Sequence, residues 1–173
     1  KMLFQMLEIL YPRRCAVCDE IEVTGKGICP LCKDKVHVAG EPACKKCGKP
    51  LVDERKEFCT DCGKKHHVYT QGKAVFVYEG GIRNSMYRFK YGNKREYAEF
   101  YANAAVEKYG VWLNKIKAEV LIPIPMYSRK KRLRGYNQAE VFARELGRKA
   151  GILVDEHLVR RVRNTIPQKE LNE

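Results

Sequence analysis

Cys15-Ala16-Val17-Cys18, Cys29-Pro30-Leu31-Cys32, Cys44-Lys45-Lys46-Cys47 and Cys59-Thr60-Asp61-Cys62 hold all eight cysteines of a 173-residue chain, as four Cys-x-x-Cys pairs. Two thiolates two residues apart fit one turn of chain around a single metal. Structural zinc takes four such ligands in a tetrahedron, so four pairs supply two closed tetrathiolate sites and leave no open position for catalysis. The pairs are separated by 10, 11 and 11 residues, about the length of a short hairpin between metal knuckles. Gly48 and Gly63 directly follow Cys47 and Cys62, where a knuckle turn calls for positive φ. The spacing predicts two successive zinc ribbons with two structural zinc ions. Sequential closure (Cys15, Cys18, Cys29, Cys32; then Cys44, Cys47, Cys59, Cys62) is favoured over an interleaved set because each site closes a shorter loop. A disulfide scaffold also uses even cysteine counts. It fits poorly where no secretory signal is read and the rest of the chain has no cysteine. His37, His66 and His67 could substitute as ligands, but eight thiolates already fill both sites, so they are expected to be solvated or packing residues.

Working outward, the chain divides by composition. Residues 11–66 are poor in long apolar runs and could bury too little surface to fold without metal, whereas the later sequence carries most of the periodic apolar positions. The expected organisation is an N-terminal helix over 1–10, a double zinc ribbon over 11–66 and a second domain over 67–173. Residues 1–70 hold 13 Lys and Arg against 10 Asp and Glu, and residues 71–173 hold 21 against 11, so +10 of the formal +13 lies in the second part. Each zinc tetrathiolate adds a net −2, which brings the ribbon region near neutrality. A polyanion or a phosphorylated small molecule is therefore expected on the second domain. The opening apolar stretch Met2–Leu10 is interrupted by Gln5 and Glu8 and is far short of a membrane span, so no membrane insertion is expected. The chain begins with Lys1, and part of the N-terminus is expected to be missing.

The second domain reads as alternating strands and helices: a β-rich run over 72–78, a helix from Ile82 to Lys90 after the Gly80-Gly81 break, and a helix from Arg95 to Trp112. A buried strand over 119–125 follows, then a basic loop, a helix from Asn137 to Ala150 and an apolar run over 152–154. This order implies right-handed crossovers and a parallel sheet. Ligands of such sheets bind beyond the carboxyl ends of strands, where Ser128-Arg129-Lys130-Lys131-Arg132-Leu133-Arg134-Gly135-Tyr136-Asn137-Gln138 lies. Five cations, a glycine and two amides at a helix N-terminus suit a phosphate. The plainer alternative is a solvated basic loop with Asn137 as an ordinary helix cap.

Six elements in order carry a resemblance over nearly the whole chain. They are Leu10-Tyr11-Pro12; Pro42-x-Cys44-x-x-Cys47-Gly48-x-Pro50; Phe89-Lys90-Tyr91; Ile122-Pro123-Ile124-Pro125; Arg134-Gly135-Tyr136-Asn137-Gln138-Ala139; and Arg163-x-Thr165-x-Pro167-Gln168-x-x-Leu171. Together they resemble the ComF (competence protein F) family. That resemblance implies a double zinc ribbon joined to a type I phosphoribosyltransferase-like α/β domain, in a bacterial cytoplasmic protein implicated in single-stranded DNA uptake during natural transformation. It further implies phosphoribosyl pyrophosphate as a ligand, accompanied by Mg2+ in the complete domain, with single-stranded DNA and a competence helicase as partners. The residues it points to are Lys90, Ser128, Arg129, Arg132, Arg134, Gly135, Asn137, Gln138, Arg163, Thr165 and Gln168.

One expected part is missing. Type I phosphoribosyltransferases hold the ribose 5-phosphate with a strand, two acidic residues and a Thr/Gly-rich turn. Ile152-Leu153-Val154-Asp155-Glu156 has the acidic pair, but His157-Leu158-Val159-Arg160 follows in place of glycines and threonines. The resemblance places the true loop beyond Gln168, five residues before the end of the sequence. A C-terminally incomplete, inactive phosphoribosyltransferase-like domain of the glycosyltransferase class is therefore expected. The competing expectation is a non-catalytic zinc-ribbon adaptor for single-stranded DNA.

Overall fold

The computed structural model describes residues 11–165, so the expected helix over 1–10 and Gln168 lie outside the described residues. The chain forms two compact units, Lys1–Tyr87 and Arg88–Glu173. It is a mixed structure of helices and, among the described residues, one small parallel sheet that follows the four cysteine pairs in sequence.

The first unit is built from a repeat of backbone hydrogen bonds. Cys15 N–H donates to Glu20 O (2.8 Å), Asp19 N–H to Cys15 O (2.9 Å) and Glu22 N–H to Arg13 O (2.8 Å). Twenty-nine residues on, Cys44 N–H donates to Lys49 O (2.8 Å), Gly48 N–H to Cys44 O (2.9 Å) and Leu51 N–H to Pro42 O (2.7 Å). Each turn needs one left-handed residue, and Asp19 (φ 69°) and Gly48 (φ 76°) supply it. Gly63 does not: it lies inside the helix α1, Thr60–Lys64, because the fourth pair runs straight into a helical turn. Its counterpart after the second pair, Lys33, lies in a short 3-10 helix, Pro30–Lys35.

The β-rich run over 72–78 does not enter the parallel sheet. Val77 N–H donates to His37 O and Ala39 N–H to Val75 O (both 2.9 Å), forming an isolated antiparallel bridge between Val38 and Phe76. The run returns onto the ribbons by pairing with the backbone of the segment after Cys32. Gly72 and Gly48 permit this return. A Cβ on Gly48 would meet Ala74 N at 2.7 Å, and one on Gly72 would meet Cys47 Cα at 3.3 Å.

Helix α2 (Gly80–Tyr91) crosses the division between the units. In the second unit, α3 (Tyr97–Ile116) buries Tyr97, Phe100, Tyr101 and Ala105 and ends at Lys117 in the left-handed conformation. Strand β1 (Val120–Leu121) pairs in parallel with β2 (Leu153–Val154), Val120 opposite Leu153. Between them run α4 (Ser128–Arg134) and α5 (Gln138–Ala150), the crossover that a parallel pair requires. The expected basic loop is thus a helix closed by Gly135 (φ 83°). Helix α5 packs on α3 and β2 through its small residues, and a Cβ on Gly147 would meet Ile152 O and Val154 Cγ2 at 2.6 Å each. Among the described residues the sheet has these two strands.

Candidate metal centres and basic surface

The knuckle turns bring the cysteine sulfurs together in the sequential grouping. The Sγ atoms of Cys15, Cys18, Cys29 and Cys32 lie within 4.8 Å of one another, as do those of Cys44, Cys47, Cys59 and Cys62. Cys18 and Cys29 are 3.7 Å apart, and so are Cys47 and Cys59. A disulfide needs about 2.05 Å between sulfurs. Four sulfurs at about 2.3 Å from a tetrahedral zinc lie about 3.8 Å apart, so the donor set and spacing fit zinc at both sites.

The electrostatics of the metal-free thiols repeat from site to site. Burial opposes ionisation of Cys15, but backbone N–H groups of Cys29, Cys18 and Val17 outweigh it and lower its pKa to about 7. Cys44 is lowered to about 6 in the same way, by Cys59, Cys47 and Lys46 against burial. Cys32 and Cys62, the last ligand of each site, are pushed up to about 12 by burial and by the neighbouring sulfurs. One thiolate in each site thus forms readily near neutral pH, and four together are stable only beside a cation.

The first site is additionally held by a carboxylate. Glu22 is 3 % exposed and accepts from Thr24 N (2.5 Å), Gly27 N (3.1 Å) and the Thr24 hydroxyl. Its carboxyl sits below the ordinary range because these donors outweigh burial. No sequence signal separated Glu22 from the surface acids around it. Residues 6–63 match the double zinc ribbon domain family. The double zinc ribbon is thereby identified over its own third of the chain. No curated protein and no solved structure matches the chain.

None of the histidines belongs to a metal-type cluster among the described residues. His37 Nδ1 pairs with Glu79 Oε1 at 2.8 Å, and His67 stacks on Tyr69 with ring centroids 5.1 Å apart.

The second unit gathers part of the predicted phosphate-binding set. Tyr136 donates its hydroxyl to Phe89 O, which draws the end of α2, with Lys90 and Tyr91, beside the α4–α5 corner. The Arg134 guanidinium lies 4.6 Å from the Tyr91 ring centroid and donates to Gln138 Oε1 at 2.6 Å. Gly135 O accepts from Arg95 Nη2 at 3.1 Å, and Arg95 covers the Tyr136 ring at 4.9 Å. Asn137 is 1 % exposed: its Oδ1 accepts from Ala139 N (3.0 Å), and its Nδ2 donates to Ile124 O (3.0 Å). These contacts give Asn137 the role of a helix cap that ties the chain after β1 to α5.

Arg129 and Arg132 stand three residues apart on α4, exposed and without an acid partner among the described residues. Lys131 differs, since it pairs with Glu140 at 2.6 Å. Ser128 opens α4 and is exposed. Thr165 O accepts from Lys130 Nζ at 3.2 Å, which brings the start of the 163–168 element to α4, where Arg163 is exposed. The acidic pair after β2 is occupied elsewhere. Glu156 is clamped by Arg144 (Nη2 to Oε2, 2.6 Å), and Asp155 Oδ1 accepts from His157 N and Leu158 N. No described helix is long and apolar enough to cross a membrane.

Proposed function

We propose that the chain binds the phosphate backbone of single-stranded nucleic acid through the exposed side of α4, as an adaptor in ComF-type DNA uptake. The observation that carries this reading is the pair Arg129 and Arg132 on one face of α4, open to solvent, with Lys130 and Arg163 nearby in a unit of strong positive charge. Guanidinium groups without acid partners are free to replace the counterions of a polyanion. Arg134 over Tyr91 adds an aromatic surface of the kind on which unpaired bases stack. The zinc ribbons serve as a structural module, nearly neutral once their thiolates are counted.

A fluorescence-anisotropy titration of a labelled single-stranded oligonucleotide over a range of salt tests the reading. Binding should weaken steeply with salt. Replacing both Arg129 and Arg132 with Ala should lower the log–log slope by about 1.4, two contacts at about 0.7 each for single strands. Absence of binding at low salt, or an unchanged slope in the double variant, removes it.

A second reading is favoured by the position of α4, directly beyond the carboxyl end of parallel strand β1. There the same cations would hold the diphosphate of phosphoribosyl pyrophosphate, as the ComF resemblance implies, with Lys90, Ser128, Arg129 and Arg132 as contacts. Calorimetry showing tight, Mg2+-dependent binding of phosphoribosyl pyrophosphate would favour it over the adaptor.

A further inference from the structure

The corner between α4 and α5 holds two arginine–tyrosine pairs that differ in one respect. Arg95 covers the Tyr136 ring at 4.9 Å and donates from Nη2 to Gly135 O at 3.1 Å. Tyr136 is 4 % exposed and its hydroxyl donates to Phe89 O, so this pair belongs to the core. The second pair is Arg134 and Tyr91, with 4.6 Å from guanidinium carbon to ring centroid. Its arginine is fixed, because Nη1 donates to Gln138 Oε1 at 2.6 Å, but its tyrosine is 62 % exposed. The helix period explains the difference. Phe89 and Tyr91 lie about 200° apart around α2, so burying Phe89 against Tyr101 and Tyr136 turns Tyr91 outward on the last turn of the helix. A lone exposed tyrosine needs no explanation. One that rests on a pinned guanidinium, at the end of a helix anchored by a buried ring, is an aromatic platform held in place.

We propose that Tyr91 is the position at which the chain stacks one unpaired base, and that Arg134 supports the ring from behind and makes no phosphate contact. The inference rests on the nucleic-acid reading of α4 and adds to it the group that selects single strands. Phosphate contacts from Arg129 and Arg132 do not make that selection, because single strands and duplexes both offer phosphates. An aromatic ring does. A base can lay its face on the ring only when it is unstacked from its neighbours, and every base has such a face, so the selection is for unpaired bases of any sequence. The guanidinium is attracted to the negative face of the ring. It thereby fixes the side chain before the base arrives, which lessens the freedom lost on binding. Arg134 is thus a positioning residue, unlike Arg129 and Arg132, which are exposed and without an acid partner among the described residues.

Fluorescence anisotropy on the full zinc-loaded chain tests it, with a labelled oligothymidylate and an abasic strand of the same length and backbone charge. The wild type should bind the base-bearing strand about 5- to 150-fold more tightly, the range for one stacked base. Tyr91→Ala should abolish that preference, leave affinity for the abasic strand and for a duplex within about twofold, and leave the salt slope unchanged. Tyr91→Phe keeps the ring and should keep the preference. Arg134→Met should reduce the preference part-way at an unchanged slope, whereas a slope lower by about 0.7 would make Arg134 a phosphate contact and overturn its supporting role. Equal wild-type affinity for the two strands, or a preference that survives in Tyr91→Ala, overturns the stacking position. Should Tyr91→Ala not fold, Tyr91→Leu, which fills much of the same space without a π face, takes its place and must lose the preference. Absence of binding to either strand at low salt would remove the nucleic-acid reading and this inference with it, whereas equal binding of both strands removes the inference alone.

Discussion

The two units solve the same stability problem by different means. In the first, the largest fully buried side chains include ligand cysteines, Cys15 and Cys32, and the frame around them is made of backbone hydrogen bonds between turns. In the second, the core is made of buried Tyr97 together with Phe89, Phe100, Tyr101 and Tyr136, the last four packed ring against ring. A chain segment with few apolar side chains gains its folding free energy from the metal, whereas one with a ring cluster gains it from burial. The first unit should therefore fold only with zinc, and the second should be indifferent to it.

The most severe test of that contrast is removal of the metal. Structural zinc sites contribute on the order of 10 kcal/mol or more each at neutral pH, far beyond what the apolar contacts of the first unit could replace. A strong chelator should abolish the dispersed amide signals of residues 11–65 in a nuclear magnetic resonance spectrum while those of α3 and α5 persist. Persistence of the ribbon signals without metal would break the comparison.

A smaller effect, confined to the second unit, is expected at Asn137. Asn137→Ala removes a helix cap, a loss of about 1 kcal/mol, and leaves Ile124 O without its donor, about 1–3 kcal/mol more. Denaturant unfolding should show a loss of about 2–4 kcal/mol with both zinc ions retained. Asn137→Asp keeps the cap oxygen but turns a carboxylate oxygen toward Ile124 O and Glu140 Oε1 where the donor stood, so at neutral pH its cost should equal or exceed that of Asn137→Ala. A stable Asn137→Ala that has lost only ligand binding would return Asn137 to the phosphate site.

Legibility in the sequence followed the same division. Metal chemistry is local: four ligands in Cys-x-x-Cys pairs declare their spacing, and the sequential grouping followed from loop length alone. The helices around Tyr97 and Gln138 were readable from their period. The fate of residues 72–78 was not, because a β-rich run does not say which edge it will join, and here it joined the backbone at His37–Ala39. The anion set was readable as composition but not as arrangement. Asn137, Gly135 and Arg134 have the residue types of a phosphate site, yet their polar atoms face Ile124, Arg95 and Gln138, whereas Arg129 and Arg132 remain open. Glu22 left no signal, since its role comes from partners fixed only by the turn around it.

The finest test asks how much of the first unit is held by something other than its metal. Glu22 is the group to change, because it is buried and accepts from Thr24 and Gly27 within the hairpin that joins Cys18 to Cys29. Its folded pKa is depressed below the ordinary 4.5, so its stabilisation is complete above that value and is lost only as pH falls through the lower, folded one. Thiolate protonation drives zinc release at higher pH, where the carboxylate is ionised in both folded and unfolded chains. Glu22→Gln should therefore weaken the first site across that whole range without changing the steepness of its release. A hydrogen-bonded charge contributes about 1.5–3 kcal/mol. Shared over up to four protons taken up per site, that shift raises the midpoint pH of release by about 0.3–0.5 unit. The second site, whose corresponding residue is Leu51, should not move. Equal movement of both midpoints would mean that the two ribbons open together, and that the unit of comparison is the double ribbon rather than each site within it.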